Sequence, residues 1–223
     1  MHASPLSSTV LFHVGPVGVT RPVVTTWIIM IALVSLCALL TRRLGVQPDR
    51  RQAALEVIVS GISRQIEEVI RKDAGPFLPM LATLFIFLVV ANLSGVLPGV
   101  EAPTGKIETP VALGLIVFFS VHYFGVRARG LRGYLASFAE PKLIMLPLNV
   151  LSEVTRTFSM MVRLFGNVMS GEFVIAMVLA LAGLFVPIPL MLLEILVGLV
   201  QAYIFSVLAT VFIGAAVGGV AKR

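Results

Sequence analysis

The sequence predicts an all-α polytopic membrane protein: about five membrane helices plus one amphipathic surface helix, the last two long and strongly tilted as a hairpin. Three observations carry this prediction. The 223 residues are 58% hydrophobic and 13% charged, against about half and about a quarter in a soluble domain. Of the 17 Lys and Arg, 13 fall in segments 42–74, 127–142 and 222–223. That is the positive-inside pattern of cytoplasmic loops, so the net charge of +6 signals membrane orientation and no nucleic-acid partner. Between these segments lie apolar runs able to cross about 30 Å of hydrocarbon.

Taken in order, residues 1–223 read as a single integral membrane domain embedded in lipid. Met1–Arg21 lacks the charged start and short apolar stretch of a cleavable signal, so the span after Pro22 is expected to persist. Residues 23–41 form this first span, closed by Arg42-Arg43. In 49–72, Leu55, Ile58, Val59, Ile62, Ile66, Val69 and Ile70 recur at helical spacing among Arg50, Arg51, Arg64, Glu67 and Arg71. This is an amphipathic helix that lies on the membrane surface or against other subunits, or simply connects two spans.

Residues 76–126 form a helical hairpin: Phe77–Leu97 ends at Pro98-Gly99, and Val111–Val126 returns after a loop carrying Glu101, Lys106 and Glu108. The basic segment 127–142 belongs on the side of 42–74. The N-terminus and the 98–109 loop are therefore outside, the basic loops and C-terminus cytoplasmic. The last unit, 145–221, is the long tilted hairpin. Leu148–Val186 contains no proline and would run roughly 58 Å as one helix, and Leu190–Val220 roughly 46 Å. Neither fits upright in a bilayer, and Pro187-Ile188-Pro189 marks the turn.

Arg163 stands deep in this apolar hairpin. A guanidinium keeps its charge in a protein, and placing it mid-membrane costs about 3 kcal/mol on insertion scales. Asn149, Arg156, Arg163 and Ser170 are each seven apart, which on a helix sets them about 20° from one another. Asn167 lies one turn beyond Arg163, so these residues form one polar face. Glu153 is three residues before Arg156 and is placed to pair with it. Glu194 and Gln201 share a face of the second helix. Glu172, nine residues from Arg163, points to the opposite side, away from an ion pair with it and toward Glu194 across the hairpin. Two such carboxyls hold and pass a proton. Polar residues at these depths also serve as interhelical glue.

No metal or cofactor site emerges. Cys37 is the single cysteine, and the histidines at 2, 13 and 122 have no ligand spacing. An intramembrane protease would need a Ser-His or Ser-Lys dyad or an HExxH motif, and the sequence offers none.

The run Arg163-Leu164-Phe165-Gly166-Asn167-Val168-Met169-Ser170-Gly171-Glu172 resembles the signature of the a subunit of F-type rotary ATP synthases. Asn149 with Glu153, Asn92-Leu93-Ser94-Gly95-Val96-Leu97-Pro98 and Gln201-Ala202-Tyr203-Ile204-Phe205 match further landmarks, so the likeness covers roughly 23–221. The resemblance implies the stator half of a proton or sodium turbine in the inner membrane, beside a c-subunit ring and b-type stator subunits. Nucleotide catalysis would reside in other subunits. Arg163 would face the ring's carboxylates, Glu172 and Glu194 would line the outer half-channel, and Gln201 would lie close to the arginine. Asn167 and Asn149 would belong to the same polar path. Some relatives carry histidine where Glu194 stands, and many carry an acid where Lys106 stands. The alternative is a self-contained secondary ion transporter or channel, which would move solute without a ring. A passive scaffold leaves Arg163 unexplained.

Overall fold

The computed structural model describes residues 10–14, 17–42, 50–95, 102–139, 144, 146–183 and 186–218. Arg43, Asp49, the Pro98-Gly99 stop, Glu101, Lys142 and Lys222-Arg223 lie outside these residues. A short antiparallel ribbon, β1 (Val10–Val14) and β2 (Val17–Thr20), precedes the helices and pairs Val14 with Val17. The helical periodicities gave no sign of it; its source is local, valines on both sides of Gly15-Pro16.

Six α-helices follow: α1 (Arg21–Thr41), α2 (Arg50–Ile70), α3 (Leu78–Ser94), α4 (Glu108–Ala139), α5 (Leu146–Ala182) and α6 (Pro187–Val217). A 3-10 turn, Pro103–Gly105, lies between α3 and α4. Helices α1, α4, α5 and α6 are long and apolar enough to cross a membrane, and α3 is a shorter apolar helix. The protein is a polytopic membrane protein of all-α class. Its lipid-facing character is plainest in α1, where only Pro22 and Ile29 are buried while Trp27, Ile28, Ile31 and Val34 point outward. Hydroxyls in the spans return their protons to the preceding turn, as Thr26 does to Pro22 O (2.8 Å) and Ser120 to Ile116 O (2.7 Å). That satisfies a donor where no water is available.

Helix α6 is the hub and packs against α2, α3, α4 and α5. Ala202, Phe205, Ala209, Ile213 and Val217 recur on it every three or four residues and join Leu81, Leu84, Leu88 and Ala91 of α3 in one apolar cluster. The amphipathic α2 is docked by its C-terminal half, with Ile66 and Ile70 buried against this cluster, whereas Val57, Ile58 and Val59 remain exposed.

Two boundaries differ from the sequence reading. Helix α4 does not stop at Val126 but continues to Gly130, whose φ of 72° and ψ of 159° break it. The chain then doubles back, so that Tyr134 packs on Gly125 and both Tyr134 and Phe138 meet the His122 ring. The hairpin between α5 and α6 turns before the prolines. Gly183, at φ 80°, follows the last turn of α5, and Pro187 already lies in the first turn of α6. There a proline gives up an N–H that has no helical partner anyway. At 37 and 31 residues, α5 and α6 run about 56 and 46 Å. Both exceed the roughly 30 Å of hydrocarbon, so both must lean or overhang.

Candidate functional site

The outward face of α5 carries Arg163. Among the described residues no side chain or carbonyl bonds to its guanidinium, and no carboxylate pairs with it. It borders an open groove of about 520 Å³ shared with Ser152, Thr155, Arg156 and Ser159 of α5 and Phe212 of α6. The spacing-permitted pair between Glu153 and Arg156 is not made. Arg156 instead lies over the Phe212 ring, its guanidinium carbon 5.7 Å from the centroid. An aromatic face stabilises that cation without neutralising it. The groove thus gathers two full positive charges and three hydroxyls among apolar side chains such as Leu148, Leu151 and Leu208.

One turn along α5 from Arg163, Asn167 donates to Gln201 Oε1 at 2.7 Å, and Gln201 is only 2% exposed. This is the polar joint of the two long helices. A turn further along α5, Gly171 leaves open the space into which Glu194 projects: a Cβ on Gly171 would lie 2.7 Å from Glu194 Oε1. Glu194 has no hydrogen-bond or ion-pair partner among the described residues. The neighbouring Glu172 turns to the loop between α3 and α4. Its Oε1 accepts the Ala102 N–H at 3.3 Å, and its carboxylate fills the space a side chain on Gly105 would need. The two acids therefore flank consecutive positions of α5, Glu194 on Gly171 and Glu172 on the 3-10 turn.

Other residues of the predicted stripe do structural work. Asn149 Nδ2 donates to Phe138 O at 2.8 Å, fastening the start of α5 to the doubled-back end of α4. Ser170 is exposed and donates to Asn167 O at 3.0 Å. Conversely, the row Ser152, Thr155, Ser159, Arg163 was missed in the sequence although its spacing is helical. The buried pair Asn92 and Thr104 was missed as a site too. Asn92 Nδ2 donates to Gly198 O and Thr104 Oγ1 donates to Asn92 Oδ1, both at 2.8 Å. Gly198 lies between Glu194 and Gln201 on α6, so this chain of hydrogen bonds ties α3 and the 3-10 turn to the same stretch of the hub. Its signal was an asparagine inside an apolar run. Among the described residues no group of three His, Cys, Asp or Glu is placed to hold a metal.

A profile of the family described as ATP synthase A chain matches residues 23–214. The protein named ATP synthase subunit a 2 of Bradyrhizobium sp. is 79% identical over 222 residues, covering 100% of both chains. That of Pelobacter propionicus is 47% identical over 96% of this chain and 93% of its own. ATP synthase subunit a 1 of Hahella chejuensis is 45% identical over 95% and 90%. With five apolar helices and the arginine-bearing run in place, the chain belongs to the ATP synthase A chain family, the a subunits of the membrane (Fo) sector of F-type ATP synthases.

Proposed function

We propose that this chain couples proton or sodium translocation to rotation of a c-subunit ring, with Arg163 as the fixed charge that the ring's carboxylates pass. The observation that carries the reading is the position of Arg163: outward-facing on a membrane-length helix, with no counter-charge among the described residues. Such a cation is held for a charge that comes from elsewhere. A ring carboxylate arriving opposite it is ionised, because a permanent positive charge lowers its pKa.

In this reading the outer half-channel runs by Glu172 and Glu194 toward Asn167 and Gln201. The hydroxyl-lined groove of Ser152, Thr155 and Ser159 opens toward the basic, cytoplasmic side as the second half-channel. Arg163 stands between them and bars a direct ion crossing. Lysine would serve poorly, since a desolvated amine gives up its proton. Each charge moved down 100 mV releases about 2.3 kcal/mol, which other subunits convert at their nucleotide sites. The b-type stator subunits hold the chain against rotation, in the inner membrane with the N-terminus outside.

The test is Arg163→Ala in the assembled complex. ATP-driven proton pumping into vesicles is expected to vanish while the subunits still co-purify. Near-normal pumping would refute the assignment.

A further inference from the structure

Three of the four positive-φ residues among the described ones crowd the C-terminal end of α6: Arg71 (φ 57°), Gly130 (φ 72°) and Gly218 (φ 79°). Each serves one contact. Arg71 ends α2, its N–H bonded to Glu67 O at 2.7 Å, in a conformation that L side chains avoid. The turn sends the next residue, Lys72, to α6, where its Nζ donates to Val217 O at 3.1 Å. Gly130 breaks α4 directly after Arg129, whose Nη2 donates to Ala215 O at 3.4 Å. Gly218 closes α6 in the left-handed conformation, and a Cβ there would lie 2.5 Å from Arg129 Nη2. Glycine is needed at 218 twice over, for its φ and for the room it leaves the guanidinium.

The last carbonyls of a helix lack helical amide partners and carry partial negative charge; Ala215 O takes the Gly218 N–H at 3.3 Å beside the guanidinium. Here two cations from two separate elements meet them. Along the rest of α6 apolar side packing competes with equally apolar lipid, and its polar ties, Asn92 to Gly198 O and Asn167 to Gln201, both lie toward its middle, so the two end cations are what restrain its C-terminal end along the axis. From Val217 back to Gln201 the helix is an unbroken rod of about 24 Å. A slip at its end moves Gln201 with it.

We propose that Lys72 and Arg129 are positioning residues that pin the axial register of α6 and so keep Gln201 level with Asn167 and Arg163. The proposal rests on the coupling role given above to the Arg163 site, and the test separates the two. A register reporter is available in a Cys37→Ser background. Asn92 Cβ lies 3.1 Å from the position a Cβ on residue 198 would take, close to disulfide range at about 3.5–4.5 Å. Asn92→Cys with Gly198→Cys should therefore cross-link in the assembled complex. Coupling is measured in complexes without the reporter, as protons pumped per ATP hydrolysed.

Lys72→Ala with Arg129→Ala is expected to shift the register equilibrium about fivefold, the size of two helix-terminus interactions, read as a lower cross-link yield, and to lower the proton-to-ATP ratio. Lys72→Arg with Arg129→Lys should restore both, and Gly218→Ala should reproduce the loss of the Arg129 contact. Where the alanine pair does not assemble, Arg129→Gln alone carries the test with the same outcomes. An unchanged cross-link yield would overturn the proposal. So would a smaller amount of complex whose ratio per complex is normal, since that is a role in stability alone. Lost cross-linking with a normal ratio would leave the pin standing and sink the coupling role of Gln201.

Discussion

At the scale of single residues, cost separates function from packing. Thr26 and Ser120 return their protons to their own helix and need nothing further. Arg163 and Glu194 have no such local remedy, and neither finds a counter-charge among the described residues. Glu172 and Glu194 are read as a relay, so Glu172→Gln with Glu194→Gln should slow proton uptake about a hundredfold, the low side of what positioned acid–base groups supply. Passive proton flux through the membrane sector, stripped of its catalytic subunits, measures this directly; unchanged flux would remove the relay. Gly171→Ala places a methyl 2.7 Å from Glu194 Oε1, so the carboxylate must swing away. A partial loss of flux is expected, with assembly intact.

Among the helices, close approach does what hydrophobic attraction does in water. Lipid competes for apolar contact, so membrane helices associate through small residues and polar bonds. Gly114 shows the first device: a Cβ there would lie 2.5 Å from Met161 Cγ, so α4 and α5 touch because this position is bare. Gly114→Ala should cost about 1–3 kcal/mol as overpacking, and Met161→Ala in the same chain should recover most of it. Thermal unfolding in detergent reads both. Asn92 shows the second device. Asn92→Ala deletes the bond to Gly198 O and leaves the buried Thr104 hydroxyl without its acceptor. A loss of about 1–2 kcal/mol follows, within what interhelical hydrogen bonds and orphaned groups cost.

On the scale of the whole chain, the exposed groove and the outward Arg163 are read as the face proposed to meet the ring. Purified alone and reconstituted, the chain should carry no coupled ion flux; flux from the isolated chain would favour a self-contained transporter. In the intact complex, cysteine introduced at Ser159 on the groove wall should cross-link to the ring, whereas cysteine at Phe119, exposed on α4, should not.

Much of this was legible in the residues. The spans and an amphipathic helix over 49–72 follow from composition and period, because a helix keeps a constant 100° per residue; the docking of that helix on the α6 cluster and the bond of Asn167 to Gln201 do not. The Glu153–Arg156 pair failed for a physical reason: spacing says which side chains are near, and only packing showed Phe212 offering Arg156 an alternative. Asn149, read as part of the polar row, serves Phe138 O because the chain reverses at Gly130, a reversal that helical periodicity does not encode. The sequence by itself determined that an arginine stands inside an apolar run, and on which helix. Tertiary structure alone decided which acid meets which glycine, and which cations close the end of α6. Those choices depend on contacts between elements far apart in the chain, and a one-dimensional period carries no information about them.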